Sequence, residues 1–551
     1  MKPLLQRYGP ATAATVLLLT FVLRCLGRFA GAGHDDAYIT LLAAKLLADG
    51  HGFVNFNGAP GEIGSSLLHV LILTVWRLAS GFDLYLVNKL IGLLCGSATL
   101  LLVMHQHRRL FQGKATFAQA WFAAWLAAWL PTYGFWTMGG LETPIVALLL
   151  LALTCSLTRP SPWPVAATVG LLSLARPEGF TYLGVPLLFG LLTGRDRSWW
   201  LRAIGAPLLG FAAVSGARVL FVGYPVPLPV LAKAGGDGLP LRRFGSGVNY
   251  VVAFYRASVL GAAMMPAFVV RAVGLLRMLE QKRLRDAPTA QLAPALVMAV
   301  HLGDVIVAGG DWMAFYRFMA PIVPLMAVIL AQVLWALAER AIARPRWRWG
   351  TALALTLLLP WISFEQTGVA PPYMPNTCMQ RSLAELFDPQ LGDTFGTRIR
   401  RLNHPHIRDE TMLLPFIDGP LRPLQARHPT LRIASTQMGF LPHALYERGL
   451  RNIDLIDAFG ITDPRLASVA GERNALGLTV GAYPERFLDP NSPAPAAQAI
   501  QKLEPDLVYT LSLERSTIKR LEEWGYRLIW SRSECNVFAH ALRLGLPRGS
   551  D

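Results

Sequence analysis

The stretch ATAATVLLLTFVLRCLGRFAGAGHDDAYIT (residues 11–40) joins a long apolar run to a pair of aspartates. The apolar run is long enough to cross a bilayer, which takes about 20 residues of helix. A secreted protein could carry a similar run as a signal peptide, cleaved near Ala30 and Ala32. Because many apolar segments follow it in this chain, an uncleaved first membrane helix is the simpler prediction.

The composition of the whole chain also indicates a membrane protein. Of its 551 residues, 53% are hydrophobic and only 16% are charged, whereas soluble domains carry about 25% charged residues. The chain has 51 Lys and Arg against 35 Asp and Glu, a formal charge of +16. Lys and Arg collect in the cytoplasmic loops of membrane proteins, so this excess does not call for a nucleic-acid partner. The five cysteines exclude a disulfide scaffold, and their spacing does not suggest a zinc site.

Further apolar segments approach the length of a membrane crossing. They lie near residues 85–105, 117–135, 143–158, 162–175, 179–193, 200–222, 250–276, 290–308, 316–338 and 350–364. Together with the first helix, they predict a polytopic α-helical membrane domain over residues 1–364, with about eleven spans.

Basic clusters between these segments fix the orientation. They contain Lys2 and Arg7, His105–Arg109, Arg195–Arg202, Arg277–Arg285 and Arg340–Arg348. The positive-inside rule places all of them in the cytoplasm. The number of crossings between clusters is then even only if SLLHVLILTVWRLAS (66–80) does not cross. We therefore expect residues 66–80 to lie along the outer interface.

The polar tail from residue 365 to 551 has no predicted span. Its β-prone runs are TLRIAST (430–436), NIDLIDA (452–458), PDLVYTL (505–511) and YRLIWS (526–531), with helical stretches between them. This alternation predicts an α/β domain. Because the last span runs outward, we expect this domain to be extracytoplasmic (periplasmic), where Cys378 and Cys535 could form a disulfide.

In this topology, the unusual polar residues of the membrane half share the outer side. They are found in HDDAYIT (34–40), at Glu62, in GGLET (139–143) and ARPEG (175–179), at Lys233, and in GGDWMAFYR (309–317). Charges near a bilayer are costly and are retained mainly for a task. The pattern therefore predicts one functional site at the outer face.

The ordered set DDAYI, GLET, RPEG and GGDWM followed by YRF resembles the GT-C superfamily of membrane glycosyltransferases. The resemblance covers residues 30–325 and is greatest to the branch that contains the mycobacterial terminal β-(1→2) arabinofuranosyltransferase. STQMGFLP (435–442) and IDLIDAFGITDP (453–464) extend it weakly into the tail.

The resemblance implies a GT-C-like fold and an inverting glycosyltransferase. Such an enzyme takes a sugar from a polyprenyl-phosphate donor at the outer face of the bacterial cytoplasmic (inner) membrane, and in this branch the sugar is arabinofuranose. An acidic pair in the first outer loop holds the catalytic base in this superfamily. By that resemblance Asp35 is the base and Asp36 a supporting residue. The acceptor could be a glycan, a lipid or a protein.

The chemistry of such a transfer suggests further candidates. Polyprenyl phosphate is a good leaving group, so the reaction needs a carboxylate to accept the acceptor's proton and cations to bind the phosphate. The candidate cations on the outer side are Arg176, Lys233, Arg317 and Arg256. Arg176 and Lys233 could equally be anchors whose charged heads reach the interface. Asp311 could orient Arg317, which follows it by six residues.

Other residues are candidates for binding the sugar or the acceptor. They are Glu62, Glu142, Asp311, Trp312 and Tyr316. Glu142 could instead close a turn, and the aromatic residues could belong to the interfacial belt. Asp35, Asp36 and Glu62 could hold a divalent metal through oxygen ligands, although a carboxylate base does not require one. His301 and Asp304 are expected to form a polar pair inside the helical bundle.

Three alternative functions are considered, one a different enzyme and two from other classes of protein. An O-antigen-ligase-like membrane transferase is the first, and the DDAYI motif near the N-terminus argues against it. A transporter would usually have internal repeats and ionisable residues at mid-membrane, which this sequence lacks. A non-catalytic lipid-phosphate-binding protein would need the cations but not Asp35.

Cysteine labelling tests the predicted path of residues 66–80. Since this segment should not cross, a Phe82→Cys variant should react with an impermeant thiol reagent added outside the cell. An Arg109→Cys variant should react only after permeabilisation. Outside labelling of the Arg109→Cys variant would contradict the topology and the predicted site at the outer face.

Overall fold

Apolar helices make up most of the chain before residue 342. A computed structural model describes residues 2–29, 35–112, 116–234, 240–256, 259–281, 288–311, 313, 315–341, 413–436, 438–467, 488–492, 494–511, 515–532 and 535–546. The helices before residue 342 are α1 (Lys2–Phe29), α2 (Asp35–Ala48), α3 (Leu67–Ser80), α4 (Leu84–His105), α5 (His107–Leu110), α6 (Thr116–Trp129), α7 (Pro131–Met138), α8 (Thr143–Leu157), α9 (Trp163–Ala175), α10 (Gly184–Thr193), α11 (Arg197–Val222), α12 (Leu228–Ala234), α13 (Pro240–Arg256), α14 (Val259–Glu280), α15 (Thr289–Ala308) and α16 (Val323–Ala341). Two 3₁₀ segments, Pro177–Leu183 and Arg317–Ile322, precede α10 and α16.

The described helices are those of a multi-pass membrane protein. Six of them are long and apolar enough to cross a bilayer, or seven if α7 and α8, bent by 118° to one another, form one span. Other predicted spans correspond to shorter helices such as α6 and α9, and residues 350–364 lie outside the described ranges. The count of eleven spans therefore stays a prediction.

Helix α3 covers most of the segment 66–80, which was predicted to lie along the outer interface. Its 14 residues extend about 21 Å, well short of the roughly 30 Å hydrocarbon core. Ser66 caps its N-terminus by accepting a hydrogen bond from the His69 N–H at 3.3 Å. One face buries Val70 and Leu73, while Val75 and Trp76 are exposed. The position of α3 at a membrane interface stays a prediction.

The chain forms two compact units, and the first contains most of the membrane helices. It comprises residues 1–32, 88–212 and 243–403. Within it, Gly92 and Gly96 of α4 face Thr137 of α7, and a Cβ at Gly96 would lie 2.7 Å from the Thr137 methyl group. This spacing of small residues lets membrane helices approach closely. Asn88 of α4 also donates to the Gly140 carbonyl at 2.7 Å, which holds the turn after α7.

The second unit contains α2, α3 and α12 together with the C-terminal α/β domain. It comprises residues 33–87, 213–242 and 404–551. After residue 412 the regular elements are a π-helical turn (Ile417–Leu421), α17 (Arg422–Arg427), β1 (Leu431–Ser435), α18 (Phe440–Glu447), β2 (Ile453–Asp457), α19 (Pro464–Ala467), α20 (Pro495–Lys502), β3 (Leu507–Leu511), α21 (Arg515–Glu523), β4 (Tyr526–Arg532) and β5 (Cys535–His540).

These strands form one mixed sheet in the order β2-β1-β3-β5-β4. β1 pairs in parallel with β2 and β3, with Ile433 opposite both Leu455 and Leu507. β5 pairs antiparallel with β3 and β4. The four predicted strands agree with β1 to β4 to within two residues. The sequence analysis missed β5, a six-residue strand that is recognisable mainly by its pairing with two neighbours.

Two expectations about the tail lie partly outside the described residues. The predicted domain boundary at residues 364 and 365 falls in the undescribed range 342–412. Cys378 falls in the same range, so the predicted pairing of Cys378 with Cys535 also lies outside what the structure describes. Both stay predictions.

Asp457, the last residue of β2, organises the loop that follows it. Its fully buried carboxylate accepts hydrogen bonds from the Phe459 N–H at 2.9 Å, the Thr462 N–H at 2.6 Å and the Thr462 hydroxyl at 2.9 Å. Burial raises the pKa of Asp457 to about 6, and these donors act in the opposite direction. The Asp457 carboxylate thus provides a hydrogen-bond acceptor for three donor groups of the loop, which would otherwise be buried without a partner.

Replacing Asp457 by Ala should destabilise the C-terminal domain. Because it leaves buried donors unsatisfied, we expect a loss of about 1–3 kcal/mol. Hydrogen exchange of the β1 and β2 amides in the full chain measures this loss. Asp489→Ala is the matched control, since Asp489 accepts from the Asn491 N–H in an exposed turn and should cost under about 0.5 kcal/mol. Equal effects of the two substitutions would contradict the role given to Asp457.

Candidate functional site

Arg176 joins two of the sequence motifs in the first unit. It caps the C-terminus of α9, and its Nη1 lies 3.0 Å from Oε1 of Glu142, at the start of α8. Its Nε also donates to Glu178, two residues further on. Although burial opposes ionisation of both groups, their mutual attraction raises the pKa of Arg176 and lowers that of Glu178. The structure therefore brings GGLET and ARPEG together through an ion-paired cluster.

Arg317 belongs to the same cluster of the first unit. Its Nε lies 2.7 Å from Oδ2 of Asp311, so the expected orientation of Arg317 by Asp311 is observed. Its guanidinium also lies over the ring of Phe318, 4.8 Å from the centroid, and that of Arg176 lies 4.9 Å from the same centroid. One aromatic ring thus positions two guanidiniums, each in cation–π geometry.

The backbone just before Arg317 is strained. Phe315 and Tyr316 have φ values of 54° and 52°, a left-handed conformation that bulky residues seldom adopt. Strain of this kind persists only where the surroundings enforce it, and it concentrates at functional sites. Here Trp136 Nε1 donates to the Phe315 carbonyl at 3.2 Å. The strain places Arg317 at the start of its 3₁₀ segment.

The candidate aromatic residues have different surroundings. Tyr316 is buried, with its ring 5.4 Å from that of Tyr250 and 5.5 Å from that of Phe254. Trp136 is also buried, which does not fit an interfacial belt position. Trp312 lies outside the described residues. Sugar binding by Tyr316 and Trp312 stays a prediction.

His301 and Asp304 were expected to pair with one another, but their hydrogen bonds are to other residues. His301 Nδ1 is 2.6 Å from the Tyr182 hydroxyl, and its Nε2 is 2.7 Å from the carbonyl of Phe318. Asp304 accepts a hydrogen bond from the Thr181 hydroxyl at 2.7 Å. The prediction of one pair was wrong, because each residue finds its partner on the 3₁₀ segment before α10. His301 thus contacts the backbone of Phe318, the residue whose ring lies against the guanidiniums of Arg176 and Arg317.

In the second unit, Asp35 and Asp36 form the first turn of α2. The Asp35 carboxylate accepts hydrogen bonds from the backbone N–H groups of Gly439, at 2.9 Å, and Phe440, at 2.7 Å. Asp36 is half-buried. Because successive residues of a helix point in different directions, the two adjacent carboxylates do not face the same way.

Glu62 has a partner that the sequence did not suggest. Arg218 of α11 donates to its two carboxylate oxygens, from Nε at 2.6 Å and from Nη2 at 3.0 Å. The Glu62 carbonyl also accepts from the N–H of Leu228, the first residue of α12. This bidentate pair anchors the loop that carries Glu62 and makes Arg218 the most direct partner for its charge.

Two candidate cations lie in helices. Pro225, Pro227 and Pro229 precede Lys233, and these prolines by themselves predict an extended segment there. That expectation was wrong: Lys233 belongs to α12, since proline is tolerated in the first turn of a helix. Arg256 is the last residue of α13 and is exposed.

The suggested metal ligands do not fit a metal site. Glu62 already faces a guanidinium, and Asp35 accepts two backbone hydrogen bonds. Among the described residues, no group of three His, Cys, Asp or Glu side chains could hold a metal ion.

Sequence reasoning also missed some residues that the structure brings forward. Lys89 is almost completely buried in α4, at 1% exposure, and an ionisable residue inside a membrane helix indicates a task. A single Lys in the apolar run LVNKLIGLL could have signalled it. Phe318 and Gly439 lie in the motifs YRF and STQMGFLP, but their contacts with Arg176 and Asp35 involve residues far away in the chain. Arg218 lies in no quoted motif, and its partner Glu62 is also distant in sequence.

Comparisons with known proteins address the fold. No protein-family model and no curated protein matches the chain. Among solved structures, it resembles ArnT from Cupriavidus metallidurans bound to undecaprenyl phosphate, with a TM-score of 0.51 and 15% identity, covering 98% of this chain and 99% of that one. The chain has a GT-C-like membrane fold. It also resembles the Archaeoglobus fulgidus oligosaccharyltransferase tethered to an acceptor peptide, with a TM-score of 0.51 and 12% identity, covering 98% of this chain and 74% of that one.

The GT-C-like fold agrees with what the sequence motifs implied about the architecture. Neither of these two structures is described as an arabinofuranosyltransferase, so the narrower resemblance to that branch stays a prediction. At 12–15% identity the likeness concerns the fold, and the chemistry has to be argued from the residues.

Replacing Arg176 by Met should destabilise the first unit. The substitution leaves the carboxylate of Glu142 buried without its cation, which costs about 3–5 kcal/mol. The thermal unfolding midpoint of the detergent-purified chain should therefore fall clearly. Arg448→Met breaks a more exposed ion pair with Asp418 and should cost at most about 1 kcal/mol. If both variants unfold alike, Arg176 is an interfacial anchor and not the centre of an ion-paired cluster.

Proposed function

We propose that this protein is a glycosyltransferase of the outer face of the bacterial cytoplasmic membrane. It transfers a sugar from a polyprenyl-phosphate donor to a glycan, lipid or protein acceptor. The observation that carries the proposal is the acidic pair Asp35 and Asp36, in the first turn of a helix after the first membrane span, in a chain with the fold of ArnT bound to undecaprenyl phosphate.

Asp35 is the general base in this proposal. Its carboxylate accepts the proton of the acceptor hydroxyl while the hydroxyl oxygen attacks the anomeric carbon. The bond between that carbon and the phosphate oxygen breaks, and polyprenyl phosphate leaves with the electron pair. Attack opposite to the leaving group inverts the anomeric centre. Asp36 supports the base without taking the proton.

Arg176, Arg317, Lys233 and Arg256 are the proposed cations for the donor phosphate, and we add the buried Lys89. Arg176 uses its Nε and Nη1 groups on carboxylates, so a guanidinium with five N–H donors retains others for phosphate oxygens. Glu142 and Asp311 hold the two arginines in place and are close to any sugar bound there. Such preorganised charge favours the transition state, in which charge develops on the phosphate.

The identity of the sugar follows only from the sequence resemblance. We propose arabinofuranose as the first donor to assay, carried on polyprenyl phosphate. A panel that includes other polyprenyl-phosphate sugars, with linkage analysis of the product, distinguishes this donor from its competitors.

Variants of the base and of the cations should affect different steps. Asp35→Asn should lower the single-turnover rate while the affinity for the lipid donor stays nearly constant, because the base acts only in the transition state. Lys233→Ala and Arg317→Ala should each weaken donor binding by about 1.5–3 kcal/mol, the range for hydrogen bonds to charged groups. Donor affinity and single-turnover rate are measured on the same purified variants.

Arg448→Ala is the control, since it removes a guanidinium from an ion pair on the C-terminal domain and should change neither quantity. Full transfer by Asp35→Asn would exclude the base role of Asp35. Donor binding without sugar transfer by the unsubstituted protein, across the whole donor panel, would favour a non-catalytic lipid-phosphate-binding protein. Donor affinity like that of the unsubstituted protein in both cation variants would make Lys233 and Arg317 interface anchors.

A further inference from the structure

The C-terminal domain holds the carboxylate of Asp35 through one backbone turn. The Gly439 N–H donates to Oδ2 at 2.9 Å, and the Phe440 N–H donates to Oδ1 at 2.7 Å. Gly439 is the N-cap residue of α18, so these groups are among the N–H donors that a helix leaves unpaired at its start. Both oxygens of Asp35 are thereby fixed in orientation.

The turn approaches Asp35 so closely that only glycine fits at residue 439. A Cβ there would lie 2.7 Å from Asp35 Cγ and closer still to the Asp35 carbonyl oxygen. The φ and ψ of Gly439 are −91° and −79°, values open to other residues as well. The requirement for glycine thus comes from the missing side chain and not from an unusual backbone.

The charge of Asp35 also has a place in this contact. Two helices, α2 and α18, begin at the same point, and the start of each carries a partial positive charge. The negative charge of the carboxylate lies at both helix starts and offsets the partial positive charge of each.

Neighbouring contacts prevent the turn from moving away from α2. The ring of Tyr38 packs edge-on against Phe440 at 5.0 Å and lies 5.2 Å from His443. Near the C-terminal ends of α18 and α2, the Tyr446 hydroxyl donates to Asp49, the residue after α2, at 2.6 Å. Beyond α2, Asn57 exchanges hydrogen bonds with the backbone of Leu455 at 2.8 and 2.9 Å. Contacts at Tyr38, Asp49 and Asn57 therefore hold α2 and the loop after it against the domain.

We propose that Gly439 is a positioning residue: the turn at Met438–Phe440 sets the orientation in which Asp35 meets the acceptor hydroxyl. The inference rests on the proposed function, because it needs Asp35 to be the base. It gives the C-terminal domain a part in the transfer step, through backbone N–H groups and the absence of one side chain.

Steady-state and binding measurements on Gly439→Ala test this. The added methyl group should displace the carboxylate, and a displacement of about 1 Å can cost roughly 100-fold in rate. We expect kcat to fall by about 10- to 100-fold with donor Kd unchanged. Gly419→Ala is the matched control, because its added Cβ would meet open space in the same unit and should leave both quantities unchanged.

Hydrogen exchange supplies a readout that does not depend on turnover. In an Asp35→Ala variant, the amides of Gly439 and Phe440 should exchange faster because they lose their acceptor, whereas Asp36→Ala should leave them protected. This arm decides the matter if Gly439→Ala proves unstable. Unchanged protection in Asp35→Ala would overturn the contact.

The outcomes separate this inference from the proposed function. If Asp35→Asn abolishes transfer but Gly439→Ala retains the kcat of Gly419→Ala, the base role stands and the positioning role is overturned. If Asp35→Asn transfers sugar normally, Asp35 is not the base, and the positioning role fails while sugar transfer stands. If the unsubstituted protein transfers no sugar from any donor of the panel, the proposed function itself fails.

Discussion

A charge placed beside a bilayer is tolerated only when a partner compensates it, and the polar residues of this protein are arranged by that constraint. Arg176 is held between two carboxylates, Arg317 contacts Asp311, and Glu62 meets Arg218 in a bidentate pair. Asp35 is compensated differently, by backbone N–H groups at the start of a helix. These local solutions hold side chains in fixed orientations, which is also what catalysis by charge stabilisation needs.

Close backbone approach is the second theme of the structure. Gly92 and Gly96 let α4 pack against Thr137, and Gly439 lets the C-terminal domain reach Asp35. In both places the missing side chain allows a backbone or side-chain group to reach its partner. Packing also fixes the geometry of the charged groups around Phe318. It holds Phe315 and Tyr316 in a strained backbone conformation that would otherwise relax.

Much of the architecture could be predicted because its signals are local. Apolar length marks membrane helices, so α1, α4 and α11 were expected near their observed positions. Strand propensity and alternation located β1 to β4, but β5 is defined by its pairing with β3 and β4. The motifs around Asp35, Glu142, Arg176 and Arg317 were visible in sequence, because unusual polar residues stand out against an apolar background.

By itself, the sequence determined that this is a membrane protein with a C-terminal α/β domain and with charged motifs between its apolar segments. Only the tertiary structure decided the partners of those charges. Arg218 lies 156 residues from Glu62, and Gly439 lies 404 residues from Asp35. Neither contact has a local sequence signal, since periodicity and capping reach only a few residues along the chain. Such pairs form because folding brings distant segments together, and the free energy of burying a charge then selects which groups must meet.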